Sequence, residues 1–136
     1  RINFEKAISD KENVYYLGIV GGEKKTTLLE NCDVFILPTN YPYEGQPISI
    51  LEAYASSCAV ITCEHSGIVD VFDDGINGMY VNYNDPIDIS RKIKLIFSDS
   101  ERLMTMKLKN YSKARNCYTE KKHLETLLEA LDIYEA

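Results

Sequence analysis

The chain contains no tryptophan, only two histidines, and four cysteines and four prolines among 136 residues. The four cysteines, Cys32, Cys58, Cys63 and Cys117, form no C-x-x-C pair, and only His65 and His123 stand by to complete a donor set. That scarcity argues against a structural metal site and a disulfide framework, so four buried free thiols and no metal are expected. No apolar run approaches the roughly 20 residues needed to cross a bilayer. The N-terminus also lacks the basic-then-apolar pattern of a secretory signal, so the expected location is cytoplasmic. Positive charge is short as well: Lys+Arg number 15 against 21 Asp+Glu, for a net charge of −6. The longest basic clusters are Lys24-Lys25 and Lys121-Lys122. Without a basic face to neutralise phosphates, a nucleic-acid partner is not expected.

What is present is the composition of a folded domain. A 45% hydrophobic and 26% charged content matches globular averages and excludes disorder and low-complexity repeats. A chain of 136 residues is long enough for one real core but not for two full domains. It opens Arg1-Ile2-Asn3-Phe4, without an initiator Met, and its first segment reads like the tail of a helix. The expectation is a piece of something longer.

The pattern along the chain alternates. Residues 2–9 carry Ile2, Phe4 and Ile8 at helical spacing, and Val14-Tyr15-Tyr16-Leu17 reads as a strand ended by Gly18. Gly21-Gly22 forms a loop before a short helix over about 23–31. Asp33-Val34-Phe35-Ile36-Leu37 is apolar almost throughout, as expected of a strand covered on both faces, and Pro38 stops it. From Pro38 to Pro47, three prolines and a glycine predict a rigid loop, and Pro47 suits the first position of a helix running to about Ser57. Ala59–Cys63 predicts a second buried strand and Asn77–Val81 a third, with a short helical turn around Val69 and Phe72 between them. Helices are expected from Asp85-Pro86, over about 99–115, and over about 119–135, the last with an apolar stripe of Leu124, Leu127, Leu128 and Leu131. Strands alternating with helices argue for an α/β fold, a Rossmann-like parallel sheet with flanking helices.

Chemistry concentrates in Glu44-Gly45-Gln46-Pro47-Ile48-Ser49-Ile50-Leu51-Glu52-Ala53. One carboxylate falls on the loop and another, eight positions on, inside an apolar helix. The loop follows the strand ending at Leu37, and open parallel sheets bind ligands at the carboxyl ends of their strands. The helix start offers unpaired N–H groups near Gly45, Gln46 and Ile48 and a dipole that favours anions. Gly45 has no side chain to hold a phosphate or sugar away. Glu52, flanked by Leu51 and Ala53, needs donors, which sugar hydroxyls supply. The competing reading makes Glu52 a solvated face residue of its helix.

Pro38 followed by Glu44-Gly45-x-Pro47-x-x-x-Leu51-Glu52-Ala53-x-Ala55 resembles the E-x7-E signature of retaining glycosyltransferases of the GT-B fold, especially family 4. The likeness continues in order through Val14–Gly18, Cys32–Pro38, Val60-Ile61-Thr62, Asp74–Val81 and Asp85-Pro86. It implies that residues 1–136 are part of the C-terminal, donor-binding domain, incomplete at its N-terminus and lacking the N-terminal acceptor domain. The resemblance implies transfer of a hexosyl group from a nucleoside diphosphate sugar, without a metal, to a glycan, lipid or polysaccharide precursor. It places Glu44 near the donor sugar hydroxyls and the reacting centre, as nucleophile or as ligand, and Glu52 on the ribose hydroxyls. Gly45, Gln46 and Pro47 would line the sugar and diphosphate, and Ile19 and Val20 the nucleobase, although a plain hydrophobic strand end explains those two equally well. Acceptor binding and peripheral membrane contact would belong to the full-length protein.

The chain departs from the family at Ser57 and Ala59, where Gly and Pro are usual, and at Val69-Asp70, where Pro-Glu is usual. The Arg and Lys that neutralise the diphosphate have no counterpart, and Lys24 and Lys25 are expected on an exposed helix surface. Two strands expected between residues 14–17 and 34–37 are missing, so the sheet is expected to leave a gap, to re-pair its strands, or to fill the gap from another chain as a strand-paired dimer. Two further function classes compete with this one. A glycoside hydrolase would need the two carboxylates to flank an open cleft, and a non-catalytic nucleotide-binding domain of related fold is the remaining alternative. Tyr41 and Tyr43 are expected to pack their loop down, His65 to be structural, and Tyr80, Tyr83, Tyr111, Tyr118 and Tyr134 to be core or helix-packing residues.

Overall fold

Three short apolar segments find one another and form a parallel sheet in the order β1-β2-β3. The computed structural model describes residues 2–132. Its strands are β1 (Val34–Leu37), β2 (Ala59–Thr62) and β3 (Gly78–Tyr80). Val34 pairs with Ala59 and Leu37 with Thr62, while Val60 pairs with Gly78 and Thr62 with Tyr80. The helices are α1 (Ile2–Ile8), α2 (Gly22–Glu30), α3 (Ile48–Ala55), α4 (Pro86–Phe97), α5 (Ser100–Cys117) and α6 (Glu120–Asp132), of which α3, α4 and α5 pack against the sheet. Asp85 and Asp99 cap α4 and α5 by accepting backbone N–H bonds, which supplies partners to donors that a helix start leaves open. Asp88 in the first turn of α4 accepts from the Asn82 N–H and the Arg91 guanidinium, and these bonds hold its carboxyl below the usual carboxylate range.

The core has two layers. Ile50, Ala53 and Tyr54 of α3 pack with Cys58, Val60, Ile68, Phe72 and Ala114 on one side of the sheet. Ala59, Ile61, Cys63, Met79, Val81, Ile96 and Met106 fill the other. Alternation along β2 explains this division, because successive side chains of a strand point to opposite faces. Between the layers runs a polar tie that the apolar pattern did not announce. Buried Asn110 of α5 donates from Nδ2 to the carbonyls of Cys58 and Asn77, and its Oδ1 accepts from Asn77 Nδ2, at 2.7–2.8 Å. Lys113, one turn on, donates to the Val71 carbonyl, Asn77 Oδ1 and Asp73 Oδ2. Every partner is satisfied, so the tie stabilises rather than strains the core.

Several expectations change. Residues 14–17 form no strand: Tyr15 is 76% exposed, and this segment pairs with no ladder. A strand exists only by sharing hydrogen bonds with a neighbour. Among the described residues the outer edge of β1 has no partner strand, so the re-pairing alternative does not occur and the edge lies open. β1 is covered only in part: Phe35 and Leu37 pack against one core layer and Val34 against the other, while Ile36 is exposed. Helix α3 ends at Ala55, two positions earlier than expected, and Pro47 stands just before its first turn rather than within it. Cys58 and Cys63 are buried as expected, but Cys32 and Cys117 are exposed. Burial pushes the Cys58 thiol up to about 11 and raises Cys63 as well, so neither is poised as a thiolate. Tyr83 and Tyr111 are exposed rather than core residues, Tyr80 and Tyr118 pack against the core, and Tyr134 lies outside the described residues.

Candidate active site

The loop from Pro38 to Pro47 leaves the carboxyl end of β1 and delivers the chain to α3. Glu44 lies half-buried on it, and its Oε2 accepts from Thr39 Oγ1 at 3.2 Å. The Glu44 N–H donates to the Tyr41 carbonyl, closing a tight turn. A second loop, after β2, holds this one in place. His65 Nε2 donates to the Tyr41 carbonyl at 2.8 Å, and the Gly67 N–H donates to the Glu44 carbonyl at 3.4 Å. A methyl group at Gly67 would lie 2.7 Å from the backbone of Gly45, so the two loops touch backbone to backbone and only glycine permits it. His65 is therefore structural, as expected. Tyr41 and Tyr43 do not pack the loop down as expected: both are exposed, and their rings meet each other edge to face at 5.7 Å.

Ahead of Glu44 the site is open. A methyl at Gly45 would meet nothing within 4 Å, and Gln46 is exposed, while Pro47 is buried and anchors the start of α3. No side chain caps that start, so the first N–H groups of α3 are left for solvent or an anion. Ile19 is fully exposed and Val20 half-buried, both just before α2.

Glu52 lies one turn into α3, half-buried, and it already has a partner. Lys25 Nζ of α2 donates to Glu52 Oε1 at 2.5 Å. The expectation of Lys25 on a bare helix surface is thus corrected: the reach of its four-carbon stem brings the ammonium to the carboxylate, 27 positions away in sequence. Helical spacing in α2 gave no sign of it, because nothing in a sequence shows which neighbouring helix a lysine meets. Beyond Glu52, an open pocket of about 420 Å³, chiefly apolar, runs between Ile48, Leu51 and Ala55 of α3 and Ala114 and Tyr118 at the end of α5. Thr39, Gly67 and Lys25 are the contributors that sequence reasoning missed. Among the described residues no group of three or more His, Cys, Asp and Glu is arranged to hold a metal ion.

A parallel sheet with flanking helices, a carboxylate on the loop that leaves its first strand and an uncapped helix start after it belong to a Rossmann-like domain of the kind found in GT-B glycosyltransferases. Residues 5–115 match the family described as glycosyl transferases group 1, and the chain belongs to that family. Over 107 residues it is 34% identical to N,N'-diacetylbacillosaminyl-diphospho-undecaprenol alpha-1,3-N-acetylgalactosaminyltransferase of Campylobacter jejuni, covering 79% of this chain and 27% of that protein. The chain therefore spans about a quarter of the length of that relative. Its fold matches Anabaena HepE crystallised with UDP and glucose, with a TM-score of 0.81 at 16% identity over 96% of this chain and 35% of that one. It also matches the C-terminal domain of the group 1 glycosyltransferase LpcC from Francisella tularensis, with a TM-score of 0.72 at 21% identity over 88% and 60% of the two chains.

Proposed function

We propose that the chain is the donor-binding part of a family 4 glycosyltransferase that moves a hexosyl group, with retention, from a nucleoside diphosphate sugar to a glycan, lipid or polysaccharide precursor. The observation that carries this reading is Glu44. It is half-buried, oriented by Thr39 and tethered through Gly67, at the carboxyl end of β1 beside the uncapped start of α3. Glu44 holds the donor sugar hydroxyls beside the reacting carbon. Gly45, Gln46 and Pro47 carry the backbone along the sugar and diphosphate, where the helix start stabilises the departing negative charge. Glu52 takes the ribose hydroxyls, and Ile19 and Val20 border the base. The reading includes no metal requirement, a cytoplasmic site of action, and an acceptor domain that supplies the other wall of the cleft and contact with a membrane surface, so that residues 1–136 alone bind donor without completing transfer. The relatives support the reading: HepE was crystallised with UDP and glucose, and the Campylobacter protein is named for transfer of N-acetylgalactosamine.

The test is NMR-monitored titration of the chain with UDP, ADP and GDP. The expected result is saturable shifts of the Gly45, Gln46 and Ile48 amides with at least one nucleotide, weakened on the order of tenfold by Glu52→Ala. Absence of binding by all three sinks the reading.

A further inference from the structure

Glu52 does not wait in water for its ligand, because Lys25 already holds one of its oxygens. Neither group is sealed away: the side chains of Lys25 and Glu52 are 39% and 35% exposed. Among the described residues each makes this one side-chain bond and no other. An ammonium has three protons to donate and a carboxylate roughly four acceptor positions. Both partners therefore keep most of their hydrogen-bonding capacity, and both are partly open to solvent. A half-exposed pair of this kind contributes little to stability by itself, so its place in the fold is not explained by holding α2 to α3.

We propose that Lys25 is a specificity-determining residue, and that Lys25 and Glu52 together form a clamp for a vicinal diol, the ribose of the nucleoside diphosphate. One hydroxyl donates to the free oxygen of Glu52, and its neighbour accepts from a free proton of Lys25. The inference rests on the donor-binding reading above and adds a cation to it. A ligand that expelled Lys25 would exchange one charge-assisted bond for another, whereas one that bridges the pair adds two and loses none. Position favours the same outcome. Ile19 and Val20, assigned to the base, lie just before the first turn of α2, and Lys25 follows in the same helix, so one stretch of chain carries both base and ribose contacts.

The experiment compares whichever of UDP, ADP or GDP binds with its 2'-deoxy counterpart, titrated into the wild-type chain, Lys25→Met and Lys25→Arg. The wild type should prefer the ribonucleotide by roughly tenfold. Lys25→Met should shrink that preference to about threefold or less, mainly through weaker ribonucleotide binding, and Lys25→Arg should restore most of it. Circular dichroism and a thermal melt confirm that each variant is folded. A Lys25→Met chain that keeps the full preference, or binds the ribonucleotide more tightly than wild type, overturns the clamp and makes Lys25 a competitor. Those outcomes leave the donor-binding reading standing. A wild-type chain that binds no nucleotide takes both down.

Discussion

β1 and β2 are strands of equal length, apolar composition and matched register, yet β2 is buried at every position and β1 at none. Composition does not separate them. Place does: β2 has a strand on each side and helices against both faces, while β1 is an edge with one partner. The contrast extends along the chain, because no residue from Phe4 to Gln46 is fully buried, whereas from Pro47 onward two core layers form around β2. An apolar run thus specifies a strand that can be covered, and its neighbours decide whether it is.

Substitutions can break or sharpen this contrast. The largest effect is expected at Gly78, where an added methyl would lie 1.7 Å from the Val60 carbonyl oxygen and no flexible side chain can yield. Gly78→Ala should cost roughly 3 kcal/mol or more in denaturant unfolding, or abolish folding, by forcing β3 away from β2. Next, Ile61→Ala in β2 should cost about 2–5 kcal/mol, and Ile36→Ala in β1 only about 1. Equal costs at the two positions would mean that β1 is covered in solution, its open edge having found a partner. The smallest effect belongs to the segment before the sheet. Tyr15→Ser removes an exposed ring and a bond to the Glu12 carbonyl, and should change stability by no more than about 0.5 kcal/mol. A larger loss would show that residues 14–17 engage a surface absent from these contacts.

The order of elements was legible because it is written in short-range patterns. The strand ends at Pro38, the capping Asp85 before Pro86, and the apolar faces of α3 and α4 all follow from local chemistry. Residues 14–17 misled for the opposite reason: strand-like residues make a strand only when a ladder is offered, and that depends on distant partners. The Asn77–Asn110 tie was equally hidden, since an asparagine in a helix shows no sign of the carbonyls it will reach 33 and 52 positions away. At the site, Glu44 and Glu52 stood out by their spacing. Lys25 did not, for its ion pair with Glu52 depends on which helix comes to rest beside its own.

The close approach of Gly67 to Gly45 couples the two site loops backbone to backbone. Neither can shift toward the other, and displacement of one draws on the bond between the Gly67 N–H and the Glu44 carbonyl. Hydrogen exchange at the Gly67 amide is thereby a gauge of the loop that carries Glu44, read from a residue 23 positions away in the sequence. A protein engineer seeking to loosen or stiffen the loop of Glu44 would do better to begin twenty-odd positions downstream than at the loop itself.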